Sequence, residues 1–123
     1  MHQRLLRGYV SLAFPSLTFE QLIKVTPDFE ISNYKPGTII FQHGDIADKL
    51  CIVIEGKIEI VEHLPSHEKK IIAQLEPGQY FDETGLMAQK VQSRTIRAAN
   101  DIPNTAIIST KSDILRELQW TPV

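Results

Sequence analysis

Cysteine is almost missing from this chain: Cys51 stands alone. No internal disulfide can form, and a lone thiol within an apolar run is expected in the core of a protein kept reduced, in the cytoplasm. Long hydrophobic runs are missing too. The longest is Leu50 to Ile54, far short of the roughly 20 residues a spanning helix needs, so no membrane span is expected. No basic-then-apolar leader opens the sequence. Neither sign of charge dominates, with 13 Lys and Arg against 15 Asp and Glu. That balance argues against direct nucleic-acid binding by this domain through general basicity. A Walker-type glycine loop, a Ser/His/Asp order and a catalytic carboxylate pair are all lacking, so the chain is not expected to be an enzyme. His43, Asp45 and Asp48, or His63 with His67, are incomplete ligand sets in polar turns, and no metal is expected.

What remains is the composition of an ordinary folded chain. Of its 123 residues, 42% are hydrophobic and 23% charged, which suits one domain over residues 1–123. Met1 to Gly8, with Arg4 and Arg7 flanking Leu5 and Leu6, reads as a short end segment. Thr18 with Gln21 forms a capping box ahead of Phe19, Leu22 and Ile23, predicting a helix over about 18–25 that Pro27 stops.

From Phe29 the rhythm becomes two. Strands are expected at Phe29 to Asn33, Thr38 to Phe41, Leu50 to Ile54, Lys57 to Val61, Lys70 to Leu75, Arg94 to Ala98 and Thr105 to Ser109. Between them come Pro36-Gly37, His43-Gly44, Glu55-Gly56, Pro65 to His67 and Pro77-Gly78 as turns. Many short strands with close Pro/Gly turns predict an all-β sandwich or barrel. Its core would lie at about 29–109. Thr110 with Asp113 resembles a second capping box, and Ile114, Leu115 and Leu118 share a face. These predict a closing helix over about 111–119, with Trp120 beyond it.

One stretch interrupts the β pattern, from Gly78 to Ala98. Asp82, Glu83, Thr84 and Gly85 are poor strand material, and Leu86, Met87 and Ala88 follow as a small apolar cluster. Asp82 before Glu83 reads as the start of about one helical turn, whose unpaired amides suit an anion. Arg94 supplies a planar guanidinium able to read two oxygens of the same group.

The order of these pieces resembles the cyclic-nucleotide-binding domain family. The matching stretches run Lys35 to Asp45, Leu50 to Val61, Leu75 to Met87 and Ser93 to Ala99. The resemblance implies a mainly β fold: an antiparallel jelly-roll barrel with short flanking N- and C-terminal helices. It also implies a phosphate-binding cassette, in which Glu83 accepts from a ribose hydroxyl while Arg94 and Thr95 meet the cyclic phosphate. The ligand-contacting set it implies is Asp82, Glu83, Thr84, Arg94 and Thr95, and the ligand is cAMP or cGMP. This cassette departs from the family pattern twice. Asp82 replaces a glycine and brings a negative group to the mouth of an anion site, and Ile96 replaces a small alanine, narrowing the pocket if it points inward. Family members switch an effector when C-terminal helices close over the base, so an effector domain or protein partner is expected at the C-terminal end. The competing reading is a ligand-free interaction module, with Asp82 acting as the counter-ion of Arg94, or the sensor half of a larger transcription regulator or transporter.

Overall fold

The computed structural model describes residues 3–42, 46–47, 49–81, 90–91 and 94–111. It begins with two helices. In α1 (Gln3–Ala13), Leu6 and Val10, followed by Phe14 and Leu17 just beyond, are buried, a stripe of near four-residue spacing that faces the core. Sequence reasoning ended this segment at Gly8, a residue that weakens a helix by about 1 kcal/mol relative to alanine. The structure carries the helix through it, because the buried stripe on both sides outweighs that cost. Helix α2 (Phe19–Val25) starts where the capping box places it. The Thr18 hydroxyl accepts from the Gln21 amide at 3.2 Å, and the Thr18 amide donates to Gln21 Oε1 at 2.9 Å. Thr18→Ala is expected to cost about 1 kcal/mol in chemical denaturation, the usual worth of such a cap. Arg7 lies 5.2 Å from the centre of the Phe19 ring and ties the two helices together.

Among the described residues ten strands follow: β1 (Glu30–Tyr34), β2 (Ile39–Phe41), β3 (Ile46–Ala47), β4 (Lys49–Glu55), β5 (Ile58–His63), β6 (Lys69–Leu75), β7 (Tyr80–Phe81), β8 (Lys90–Val91), β9 (Thr95–Ala98) and β10 (Thr105–Lys111). They form one four-stranded sheet in the order β1-β10-β4-β7, a second in the order β2-β9-β5-β6, and a two-stranded ribbon of β3 with β8. All the pairings are antiparallel.

The fold is mainly β with a jelly-roll-like topology and two flanking helices, but the expected barrel is not closed. Closure requires an edge of one sheet to hydrogen-bond an edge of the other. Among the described residues, no ladder joins β1 or β7 to β2 or β6. With β7 only two residues long and β2 only three, these edges offer little backbone for such a ladder. The open sheets are instead joined through side chains between facing layers.

Among the described residues both α-helices precede the sheets. At the other end β10 runs through Lys111, so Thr110 is a buried strand residue opposite Leu50 rather than a helix cap. The remainder of the expected closing helix, with Ile114, Leu115, Leu118 and Trp120, lies outside the described residues.

Burial explains why β4 reads as a continuous apolar run. Leu50, Ile52 and Ile54 face the helices, packing in one cluster with Leu6, Val10, Phe14, Leu22, Val25 and Ile108. Cys51 and Val53 point the other way, into a second cluster with Ile58, Ile60, Phe81, Ile96 and Ile107 between the sheets. A strand covered on both faces loses its polar alternation. Cys51 is a fully buried thiol, and Phe81 meets Phe41 edge-on with ring centres 6.0 Å apart.

Candidate functional site

The site is built around β9. Ile96 and Ala98 turn inward and are fully buried, with Ile96 in the inter-sheet cluster. Ile96 is therefore a core side chain, and this accounts for an isoleucine at a position where the resemblance leads one to expect alanine. Side chains alternate along a strand, so Thr95 and Arg97 take the opposite face. On that face Arg97 Nε donates to Glu59 Oε1 at 3.0 Å. Glu59, whose place in an alternating run suggests a solvated carboxylate, is buried at 6% exposure and is held there by its guanidinium partner.

Thr95 is itself buried. Its hydroxyl lies 2.8 Å from His63 Nε2 on β5. It also lines a cavity of about 460 Å³ together with Ile39, Gln42, His63 and Lys69. That volume falls within the usual range of small-molecule sites, roughly 300–1,000 Å³. Antiparallel registry brings the lining together: Val61 faces Thr95 across β5 and β9, His63 faces Lys69 across β5 and β6, and Ile39 faces Arg97 across β2 and β9.

Arg94 directly precedes β9 and is half-buried. No carboxylate among the described residues pairs with it; the ion pairs found there are Lys57 with Asp101 and Arg97 with Glu59. Removing a guanidinium even partly from water without a counter-charge is costly, so this position favours an anion. Of the five residues expected to contact a ligand, Arg94 and Thr95 stand side by side, with Thr95 on the cavity wall. Asp82, Glu83 and Thr84 lie outside the described residues, as does the proposed contact between Asp82 and Arg94. The chain leading to them is anchored where β7 ends, with Phe81 opposite Cys51 and the Tyr80 ring 4.6 Å from that of Phe14.

Sequence reasoning did not put His63, Lys69, Gln42 or Ile39 at a ligand site; Lys69 was read with Lys70 as part of a solvated hairpin. His63 was weighed only as a metal ligand, beside His67. Its actual neighbour, Thr95, is 32 positions away and reaches it only through the β5–β9 pairing. Among the described residues no three His, Cys, Asp or Glu side chains gather as a metal site would require. Nor is any helix there long and apolar enough to cross a membrane.

Two open antiparallel sheets in jelly-roll-like order, backed by a helical pair, give the chain a β-roll architecture. The family model described as "Cyclic nucleotide-binding domain" matches residues 31–118, and the chain belongs to that family. An uncharacterised ABC transporter ATP-binding protein from Mycobacterium tuberculosis is 30% identical over 89 residues, covering 67% of this chain and 27% of the relative. Human cGMP-dependent protein kinase 2 is 28% identical over 89 residues, 71% of this chain and 12% of the kinase. The chain thus spans about a quarter or less of the length of these curated relatives. Among solved structures, the regulatory domain of Toxoplasma gondii PKA with cAMP superposes with a TM-score of 0.80 at 18% identity, over 94% of this chain and 43% of that one. The regulatory subunit of a cAMP-independent protein kinase A from Trypanosoma brucei gives 0.79 at 22% identity, over 94% and 40%. The likeness to these two structures is one of fold.

Proposed function

We propose that this chain is a regulatory sensing domain that binds cAMP or cGMP, with the cyclic phosphate on Arg94 and Thr95 and the ribose hydroxyl on Glu83. Asp82 and Thr84 complete the contacting set. The observation that carries this reading is the half-buried Arg94, without a carboxylate partner among the described residues, one position from a threonine that lines a cavity of suitable size. Membership of the family, and the cAMP named for the Toxoplasma structure, support the choice of ligand. The role is binding and regulation rather than catalysis. Residues 1–123 act as one domain with its core at about 29–109, working in the cytoplasm, and its output passes to an effector domain or protein partner through the C-terminal end. The curated relatives include a transporter ATP-binding protein and a kinase, which fits a sensor joined to a larger machine.

Calorimetric titration with cAMP and cGMP tests this. A saturable heat is expected, with a melting temperature raised by about ten degrees at about a hundredfold excess over Kd, where mass action contributes about 2.7 kcal/mol. No heat and no shift at millimolar nucleotide would overturn the reading in favour of a ligand-free interaction module, in which Asp82 supplies the negative charge for Arg94.

A further inference from the structure

We propose that Lys69, the first residue of β6, is a further ligand-contacting residue of this site, its ammonium meeting the cyclic phosphate from the cavity side; this rests on the cyclic-nucleotide reading above. Among the described residues the cavity of about 460 Å³ is walled by Ile39, Gln42, His63, Lys69 and Thr95. Arg94 is not one of these, and Thr95 is the residue that the cavity shares with the expected phosphate contacts. No carboxylate stands on these walls, and Lys69 brings an ammonium to them. An anion entering such a space gives up part of its hydration, and a cation on the wall offsets that loss.

Strand registry explains why this lysine is left for a ligand. Across the β5–β6 ladder Glu62 faces Lys70, whereas His63 faces Lys69. Successive side chains of a strand point to opposite faces. The carboxylate of β5 is therefore dealt to Lys70, and the cavity side receives Lys69. No ion pair joins Lys69 to a carboxylate among the described residues, while Arg97 on β9 is engaged with Glu59 at 3.0 Å. The hairpin before Lys69 is tied by its own backbone. The Leu64 amide donates to the Glu68 carbonyl oxygen at 2.8 Å, and the His67 amide to the Leu64 carbonyl oxygen at 2.9 Å. Lys69 thus enters β6 from a closed turn, and its backbone position is set before any ligand arrives.

The two cations would divide the work. The planar fork of Arg94 reads two oxygens in a fixed geometry, whereas an ammonium is a point charge with three rotatable donors on a flexible stem. Lys69 is exposed, so solvent screens it and its effect should be smaller than that of Arg94 and more sensitive to salt. A charge at the rim of a site acts mainly by drawing the ligand in.

The test is calorimetry with cAMP and cGMP on the protein of residues 1–123 and its variants, with ligand-free melting temperatures beside it. At about 0.1 M salt Lys69→Gln should bind both nucleotides about three- to tenfold more weakly than the parent, by the same factor for each, with an unchanged melting temperature. That difference should shrink at about 1 M salt, where the screening length falls to about 3 Å. Lys69→Arg, which keeps the charge, should stay within about threefold of the parent. Lys70→Gln, which removes a lysine of the same strand from the other face, should bind as the parent does. A Lys69→Gln variant that binds like the parent, a Lys70→Gln variant weakened as much, or a loss confined to one nucleotide overturns the role of Lys69 at the phosphate and leaves the nucleotide reading standing. No heat from the parent with either nucleotide removes that reading, and this inference with it.

Discussion

Arg94→Ala is expected to weaken cyclic-nucleotide binding by about 30-fold to several thousand-fold, corresponding to the roughly 2–5 kcal/mol lost when one partner of a desolvated, hydrogen-bonded charge pair is truncated. The loss should appear in binding and not in folding. Arg94 is half-buried and makes no ion pair among the described residues, so within them its truncation removes no native contact of that kind. Arg94→Lys separates charge from shape: the ammonium keeps the positive charge but not the planar fork that reads two oxygens, and should fall between alanine and wild type. Calorimetric Kd values for the three proteins, beside their ligand-free melting temperatures, decide the matter. An alanine variant that binds as tightly as the parent would place the anion site elsewhere.

The second large effect concerns the corner between β4 and β5. Gly56 has φ +79°, a left-handed conformation that costs an L residue about 1–2 kcal/mol. A Cβ there would also lie 2.5 Å from Thr105 Oγ1, 2.6 Å from the Asn104 carbonyl oxygen and 2.8 Å from Thr105 Cα. Two of those atoms are backbone and cannot swing aside. Thr105 is buried, and its hydroxyl lies 3.3 Å from both the amide and the carbonyl oxygen of Lys57, joining β10 to the start of β5. Forcing these groups apart adds about 1–3 kcal/mol of overpacking, so Gly56→Ala should lose about 2–5 kcal/mol in urea denaturation. That is a large fraction of the 5–15 kcal/mol that holds a typical domain together. Gly78→Ala is the control. Its φ is +92°, but the nearest contact, Leu12 Cδ1, is 3.9 Å away, so only the backbone cost applies. Equal losses in the two variants would rule out crowding at the β4–β5 corner.

The two glycines also show how far local signals reach. Glu55-Gly56 and Pro77-Gly78 look alike as turn pairs, and both glycines do adopt positive φ. Only the neighbouring strand end at Thr105, 49 positions further on, makes one of them intolerant of a methyl group. The candidate site divides in the same way. Arg94 was singled out from its own side-chain chemistry beside an interrupted β pattern, and Thr95 from the family resemblance, neither of which needs tertiary information. His63 and Lys69 were not, because each becomes a wall of the cavity only when β5 pairs with β6 on one side and β9 on the other.

By itself the sequence determined the β character, the approximate strand positions and the capped α2 helix. All of these follow from periodicity, turn chemistry and side-chain type within a few neighbouring positions. Tertiary structure decided the rest: that the sheets stay open, that α1 continues through Gly8, that β10 runs on to Lys111, that Ile96 belongs to the core, and that Glu59 and His63 acquire partners on β9. Those outcomes depend on which surfaces meet, and the meeting is set by pairings between strands distant in the chain, whose energies no short window of residues contains.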